Sequence, residues 1–75
     1  MNDDVTHMDF VIMVLQEIFG HNAEYAAQLM LQIHNEGSAI VALLDYELAE
    51  QKAIETTVLA RNNNFPLDVK VKPND

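Results

Sequence analysis

Apolar positions along this chain recur first at helical and then at extended spacing, and the change falls just after Gly37. Over residues 22–37, Ala26, Leu29, Met30 and Ile33 stand at i, i+3, i+4 and i+7, which sets them on one face of a 3.6-residue helix. Asn22 predicts the N-cap of that helix, Glu24 suits its positive end, and Gly37 supplies a left-handed stop. Ahead of it, Thr6 predicts a cap with Asp9 at the position of a capping-box acid, so a first helix starts near His7. Met8, Val11, Ile12, Leu15, Ile18 and Phe19 lie along one face of this helix, and Gly20, His21 and Asn22 break the pattern. The connection is short, which makes the two helices neighbours.

Residues 39–44 are an apolar run without polar alternation, the length of a buried strand. Asp45 then predicts the cap of a third helix running to about Asn62, with Glu47 and Glu50 near its start and Arg61 near its end to suit the dipole. Ala49, Ala53 and Ala60 form a small-residue stripe fit for close approach to a sheet, flanked by the pair Ile54 and Val58. Asn62, Asn63 and Asn64 stop this helix, and Phe65-Pro66 turns the chain into extended geometry. Leu67, Val69 and Val71 alternate with Asp68, Lys70 and Lys72, as in a half-buried strand. The expected fold class is α+β, with three helices packed against a small sheet. Two strands make a thin sheet, so a third is expected from residues around or before Met1, or from another chain.

The 75 residues read as one domain, 1–75, and folding at this length buries only about 60% of the unfolded surface. The absence of cysteine removes disulfides and thiolate zinc sites, leaving the 49% hydrophobic content to supply stability. Twelve acidic residues against four basic ones give a net charge of −8, which disfavours nucleic acid and anionic lipid and favours a cationic ligand. Apolar runs such as residues 39–44 fall far short of the roughly 20 residues that span a bilayer, and no signal-peptide pattern opens the chain, so no membrane role and a cytoplasmic location are expected.

Catalytic chemistry finds little to work with. His7, His21 and His34 are scattered without an H-E-x-x-H pair, and Asn2-Asp3-Asp4 lacks the glycine and distal glutamate of a calcium loop. Ser38 has no nucleophile elbow, and Gly20 and Gly37 serve as helix stops rather than a phosphate cradle. What remains is a binding site. Met30, Ile33 and His34 share a patch near the end of the second helix, and Met8 and Val11 face the same side from the first. The acidic loop of Asn2, Asp3 and Asp4 stands at the start of that first helix, so loop and apolar patch are expected to share one rim.

Read together, Asn2-Asp3-Asp4-Val5-Thr6-His7-Met8-Asp9-Phe10-Val11, Gln28-Leu29-Met30-Leu31-Gln32-Ile33-His34 with Gly37, Glu47-Leu48-Ala49-Glu50 before Lys52, Ala60-Arg61 and Pro66-Leu67 resemble the ClpS family. These are bacterial and plastid adaptors that recognise N-degrons and hand them to the ClpA-type unfoldase of the ClpAP protease. The resemblance covers nearly the whole chain and implies a non-enzymatic adaptor without a cofactor. It also implies a three-stranded antiparallel sheet covered by three helices, in the order strand, helix, helix, strand, helix, strand. The first strand, ending at Asn2, and the extension before it are expected to be largely missing here.

The resemblance further implies a pocket for a substrate's first side chain, Leu, Phe, Tyr or Trp, lined by Met8, Val11, Met30, Ile33 and Leu67. Burial of that side chain is worth about 1.5–3 kcal/mol. Asn2, Asp3 and His34 are matched to the α-amino group, with Asp4 and Thr6 behind them, and Glu47 and Lys52 to the unfoldase. Hydrogen bonds to the charged amine contribute about 1.5–3 kcal/mol each, and after ordering costs the sum implies roughly micromolar binding, near 8 kcal/mol. Met8 matches a gate that disfavours β-branched first residues, because branching at Cβ puts bulk at the narrowest point. Two residues depart from the family pattern: Ile33 replaces a commoner valine and makes the pocket shallower, and His7 replaces a frequent proline and adds a titratable group near the loop. Two other readings stay open: a ClpS-like N-recognin domain of a larger protein, and a small dimerising structural domain that uses an open strand edge.

Overall fold

The computed structural model describes residues 5–74, which contain three helices: α1 (His7–Glu17), α2 (Ala23–Glu36) and α3 (Tyr46–Asn62). The chain divides into two compact units, one reaching to Val41 and the other beginning at Ala42. No described helix is long and apolar enough to cross a membrane.

Local chemistry accounts for the ends of the first two helices. Thr6 is extended and its hydroxyl accepts from the Asp9 amide at 3.1 Å, satisfying one of the orphan donors of the first turn of α1. The exit of α1 is closed by the Gly20 amide donating to the Gln16 carbonyl and the His21 amide to the Leu15 carbonyl, with Gly20 at φ 73°. Asn22 caps α2 by accepting from the Tyr25 amide at 2.8 Å, and Gly37 ends it at φ 91° with its amide on the Ile33 carbonyl at 2.8 Å. An L-residue rarely adopts that φ, and glycine does so without a Cβ penalty.

In the first unit α1 packs on α2. Phe10, Val11, Val14 and Leu15 are buried from α1, and Ala26, Leu29 and Met30 from α2. The α2 stripe is therefore the one its spacing predicts, with Ile33 half-buried at its end. The α1 face is rotated by about 75° from the predicted one. Phe10 and Val14 are buried, Ile12, Ile18 and Phe19 are only half-buried, and Met8 is exposed. Residues 10–15 are all apolar, so periodicity alone does not select the core face there. The His21 ring donates from Nε2 to the Val41 carbonyl at 2.6 Å, and it stacks on Phe19 and meets Tyr25 edge-on. The end of this unit is thereby tied to its inter-helix turn.

In the second unit α3 buries Ala53, Thr56 and Ala60, while Ala49 is half-buried. Thr56 fits an apolar surrounding because its hydroxyl donates to the Lys52 carbonyl one turn back, at 2.8 Å. Asp45 stands at the N-cap position without a side-chain cap hydrogen bond, unlike Thr6 and Asn22. The C-terminus is a Schellman closure: the Phe65 amide donates to the Ala60 carbonyl at 2.9 Å and the Asn64 amide to the Arg61 carbonyl at 3.1 Å. Asn64 takes the left-handed position at φ 61°, one of the few non-glycine residue types that do so readily.

The expected α+β class is corrected by this structure. No strand, and so no antiparallel sheet, forms among the described residues. Residues 38–45 and 65–74 carry no regular secondary structure. The alternation of the last segment survives as exposure, since Leu67, Val69 and Val71 are half-buried and Asp68, Lys70 and Lys72 exposed. The run 39–44, read as a buried strand, leaves Ile40 76% and Leu43 70% exposed. Side-chain pattern encodes which face of an extended segment is covered, but a strand exists only through the ladder of a partner. The strand expected to end at Asn2 lies outside the described residues. The small-residue stripe of α3 accordingly meets no sheet among them.

The αL stop of α2 gives the first testable outcome. A Cβ added at Gly37 meets nothing within 4 Å, so the cost of Gly37→Ala is backbone strain alone. We expect a loss of about 1–2 kcal/mol, seen as a melting temperature lower by about 4–8 °C per kcal/mol, with Gly37→Asn losing less. An unchanged melting curve for Gly37→Ala would show that α2 ends without need of the left-handed residue.

Candidate functional site

The cap at Thr6 starts α1 so that His7 and Met8 fall in its first turn, and Val11 follows one turn later on the same side. From α2, Met30, Ile33 and His34 occupy the last two turns before Gly37. These six residues line one cavity of ≈ 240 Å³ in the first unit. Small-molecule sites for drug-sized ligands usually span about 300–1,000 Å³. This one lies just below that range.

Its wall is graded from buried to exposed. Val11 is buried and Met30 is only 9% exposed, so both belong at once to the α1–α2 core and to the cavity. Ile33 is half-buried, and Met8 is 41% exposed. The polar part of the lining is two imidazoles, His7 at the N-terminal end of α1 and His34 in the last turn of α2. A neutral imidazole offers both a ring N–H and a lone pair. The arrangement can thus bury an apolar group and hydrogen-bond a polar one beside it. Among the described residues no three His, Asp or Glu side chains converge in a metal-binding cluster.

Of the residues singled out in the sequence, Met8, Val11, Met30, Ile33 and His34 are brought together here. Leu67, the fifth wall residue expected, belongs to the second unit and is not among the residues lining this cavity. Asn2, Asp3 and Asp4 lie outside the described residues. Thr6 is not in the lining either; it holds the first turn that carries His7 and Met8. Glu47 is exposed in the first turn of α3, and Lys52, half-buried, lies further along the same helix. The lining residue that the site assignment missed is His7, and the signal for it was its i, i+4 relation to Val11.

Comparison with known proteins finds matches along nearly the whole chain. The family model described as "ATP-dependent Clp protease adaptor protein ClpS" matches residues 1–70. The ATP-dependent Clp protease adapter protein ClpS of Treponema denticola is 44% identical over 72 residues, which cover 96% of this chain and 71% of that protein. The protein of the same name from Campylobacter jejuni subsp. jejuni is 47% identical over 72 residues, covering 96% of this chain and 75% of the relative. Both are named as adaptors, not as enzymes. A family match across the cap, both cavity helices and α3, with relatives this similar along nearly the full chain, makes this protein a member of the ClpS family of Clp protease adaptors.

Proposed function

We propose that residues 1–75 act as a single cytoplasmic adaptor core that binds proteins beginning with Leu, Phe, Tyr or Trp and delivers them to a ClpA-type unfoldase of the ClpAP protease. The observation that carries this reading is the convergence of Met8, Val11, Met30, Ile33 and His34 on one cavity between α1 and α2. Burying the first side chain there contributes about 1.5–3 kcal/mol. His34 accepts from the α-ammonium, and Asn2 and Asp3 complete its binding, supported by Asp4 and Thr6. A net charge of −8 favours a cationic terminus over an acylated one. Glu47 and Lys52 contact the unfoldase.

Selectivity follows from the position of Met8. Met8 is exposed, and as a gate at the pocket mouth it would screen width close to the substrate backbone, where a β-branched residue is widest. The half-buried Ile33 shortens the far end and favours Leu over the large aromatics.

The test is fluorescence-polarisation binding of a labelled peptide starting with Leu, Phe, Ile, or Leu with its amine acetylated. We expect Leu and Phe to bind with a Kd on the order of 1 µM, Ile more weakly, and the acetylated peptide not at all. Equal binding of free and acetylated peptides would remove the amine from recognition and with it this reading.

Met8→Ala is expected to bring Ile close to Leu while lowering stability by less than about 1 kcal/mol, because Met8 is exposed. Met30→Ala should cost about 2–4 kcal/mol in urea denaturation as a core truncation. Unchanged discrimination between Leu and Ile in Met8→Ala would reject the gate.

Substitution gives a separate check on His34. His34→Ala is expected to weaken binding of the Leu peptide about tenfold or more, the loss of one hydrogen bond to a charged group. Unchanged affinity in that variant would remove His34 from the amine site.

A further inference from the structure

We propose that His7 is a further substrate-binding residue of this site: with the first side chain in the cavity and its amine at His34, the reading on which this rests, the His7 ring donates a hydrogen bond to the first peptide carbonyl. α1 packs on α2 across the short turn at residues 18–22, so the two helices run antiparallel and the first turn of one stands beside the last turn of the other. The cavity lies at that end, with His7 and Met8 contributed by α1 and Ile33 and His34 by α2.

Burial sorts the lining. Val11 is 3% exposed and Met30 9%, which makes them its inner side, whereas His7 and His34 are both exposed. A polar group on the exposed side meets the main chain of an inserted residue, not the tip of its side chain. The two rings also come from different helices, so they approach an occupant from two directions.

A free N-terminus divides its chemistry between them. Around the first Cα the side chain, the amine and the carbonyl carbon point apart, with an angle of about 111° between the last two. When the side chain is directed to Val11 and Met30 and the amine to His34 on α2, the carbonyl is left to face α1, where His7 is the polar residue of the lining. A neutral imidazole carries one N–H and one lone pair, whereas an ammonium only donates and a carbonyl oxygen only accepts. The lone pair of His34 serves the amine, and the N–H of His7 serves the carbonyl. Held at both groups, the substrate enters in one orientation, and its chain leaves the site along the α1 side.

The position of His7 allows a clean removal of the donor. It is the first residue of α1, where proline is readily accommodated, and Thr6 before it is already extended at φ −75° and ψ 163°, the geometry a following proline requires. The test is fluorescence polarisation with two labelled peptides, one starting with Leu and one in which the first peptide bond of that peptide is an (E)-alkene, which keeps the amine and side chain and lacks the carbonyl. His7→Pro is expected to bind the Leu peptide about threefold to tenfold more weakly than the parent, the net worth of one neutral hydrogen bond, and the alkene peptide with the parent's affinity. His7→Gln, which keeps an N–H donor, should lose less, and unchanged helical circular dichroism verifies the fold of both variants. Equal weakening toward both peptides in His7→Pro, no weakening toward either, or a loss in His7→Gln as large as in His7→Pro overturns the role of His7 and leaves amine recognition standing. A parent protein that does not bind the free-amine Leu peptide overturns both.

Discussion

The burial of α1 against α2 is the constraint on which the rest of the first unit depends. Four α1 side chains and three from α2 form its core, and Ala26, with no exposed surface, allows the two helices to come close. The cavity is where this packing runs out. Past Val11 on one helix and Met30 on the other, the helices no longer fill the space between them, and Met8, Ile33 and the two imidazoles surround what is left. Neither helix alone would have such a site. Its shape follows from how far the caps at Thr6 and Asn22 and the stop at Gly37 allow each helix to extend.

Helix boundaries were legible in the sequence because they are written in single residues with local chemistry. Thr6, Asn22 and Gly37 act within one turn of where they stand, and Asn64 ends α3 by the same logic. The α2 face was legible too, since polar residues interrupt its apolar ones at helical spacing. The α1 face was not, because the uninterrupted run through residues 10–15 offers several equivalent stripes and the partner helix chooses among them. Thr56 escaped for a related reason: a hydroxyl satisfied by its own helix is invisible to a hydrophobic pattern.

The extended segments mark a different limit. Alternation at Leu67, Val69 and Val71 correctly forecast which side chains would be covered, yet it could not supply a hydrogen-bonding partner, and no ladder forms among the described residues. Five of the candidate site residues came together because they lie on two adjacent helices whose register is set locally. Leu67 sits far along the chain in the other unit, where no short-range rule could fix its place. The spacing of Met30, Ile33 and His34 is likewise a core pattern in most proteins, and only the run of residues across the chain, recognisable as ClpS, made it read as a pocket.

The grading of the cavity wall has a dynamic consequence. Val11 and Met30 move only when the core moves, whereas His7 and Met8 ride on the first turn of a helix, a place where chains fray on submicrosecond timescales. What holds that turn is the hydrogen bond from the Asp9 amide to the Thr6 hydroxyl. The hold on the exposed side of the cavity thus depends on a residue that does not line it. A change at the cap would alter how firmly His7 and Met8 are held while leaving every lining residue in place.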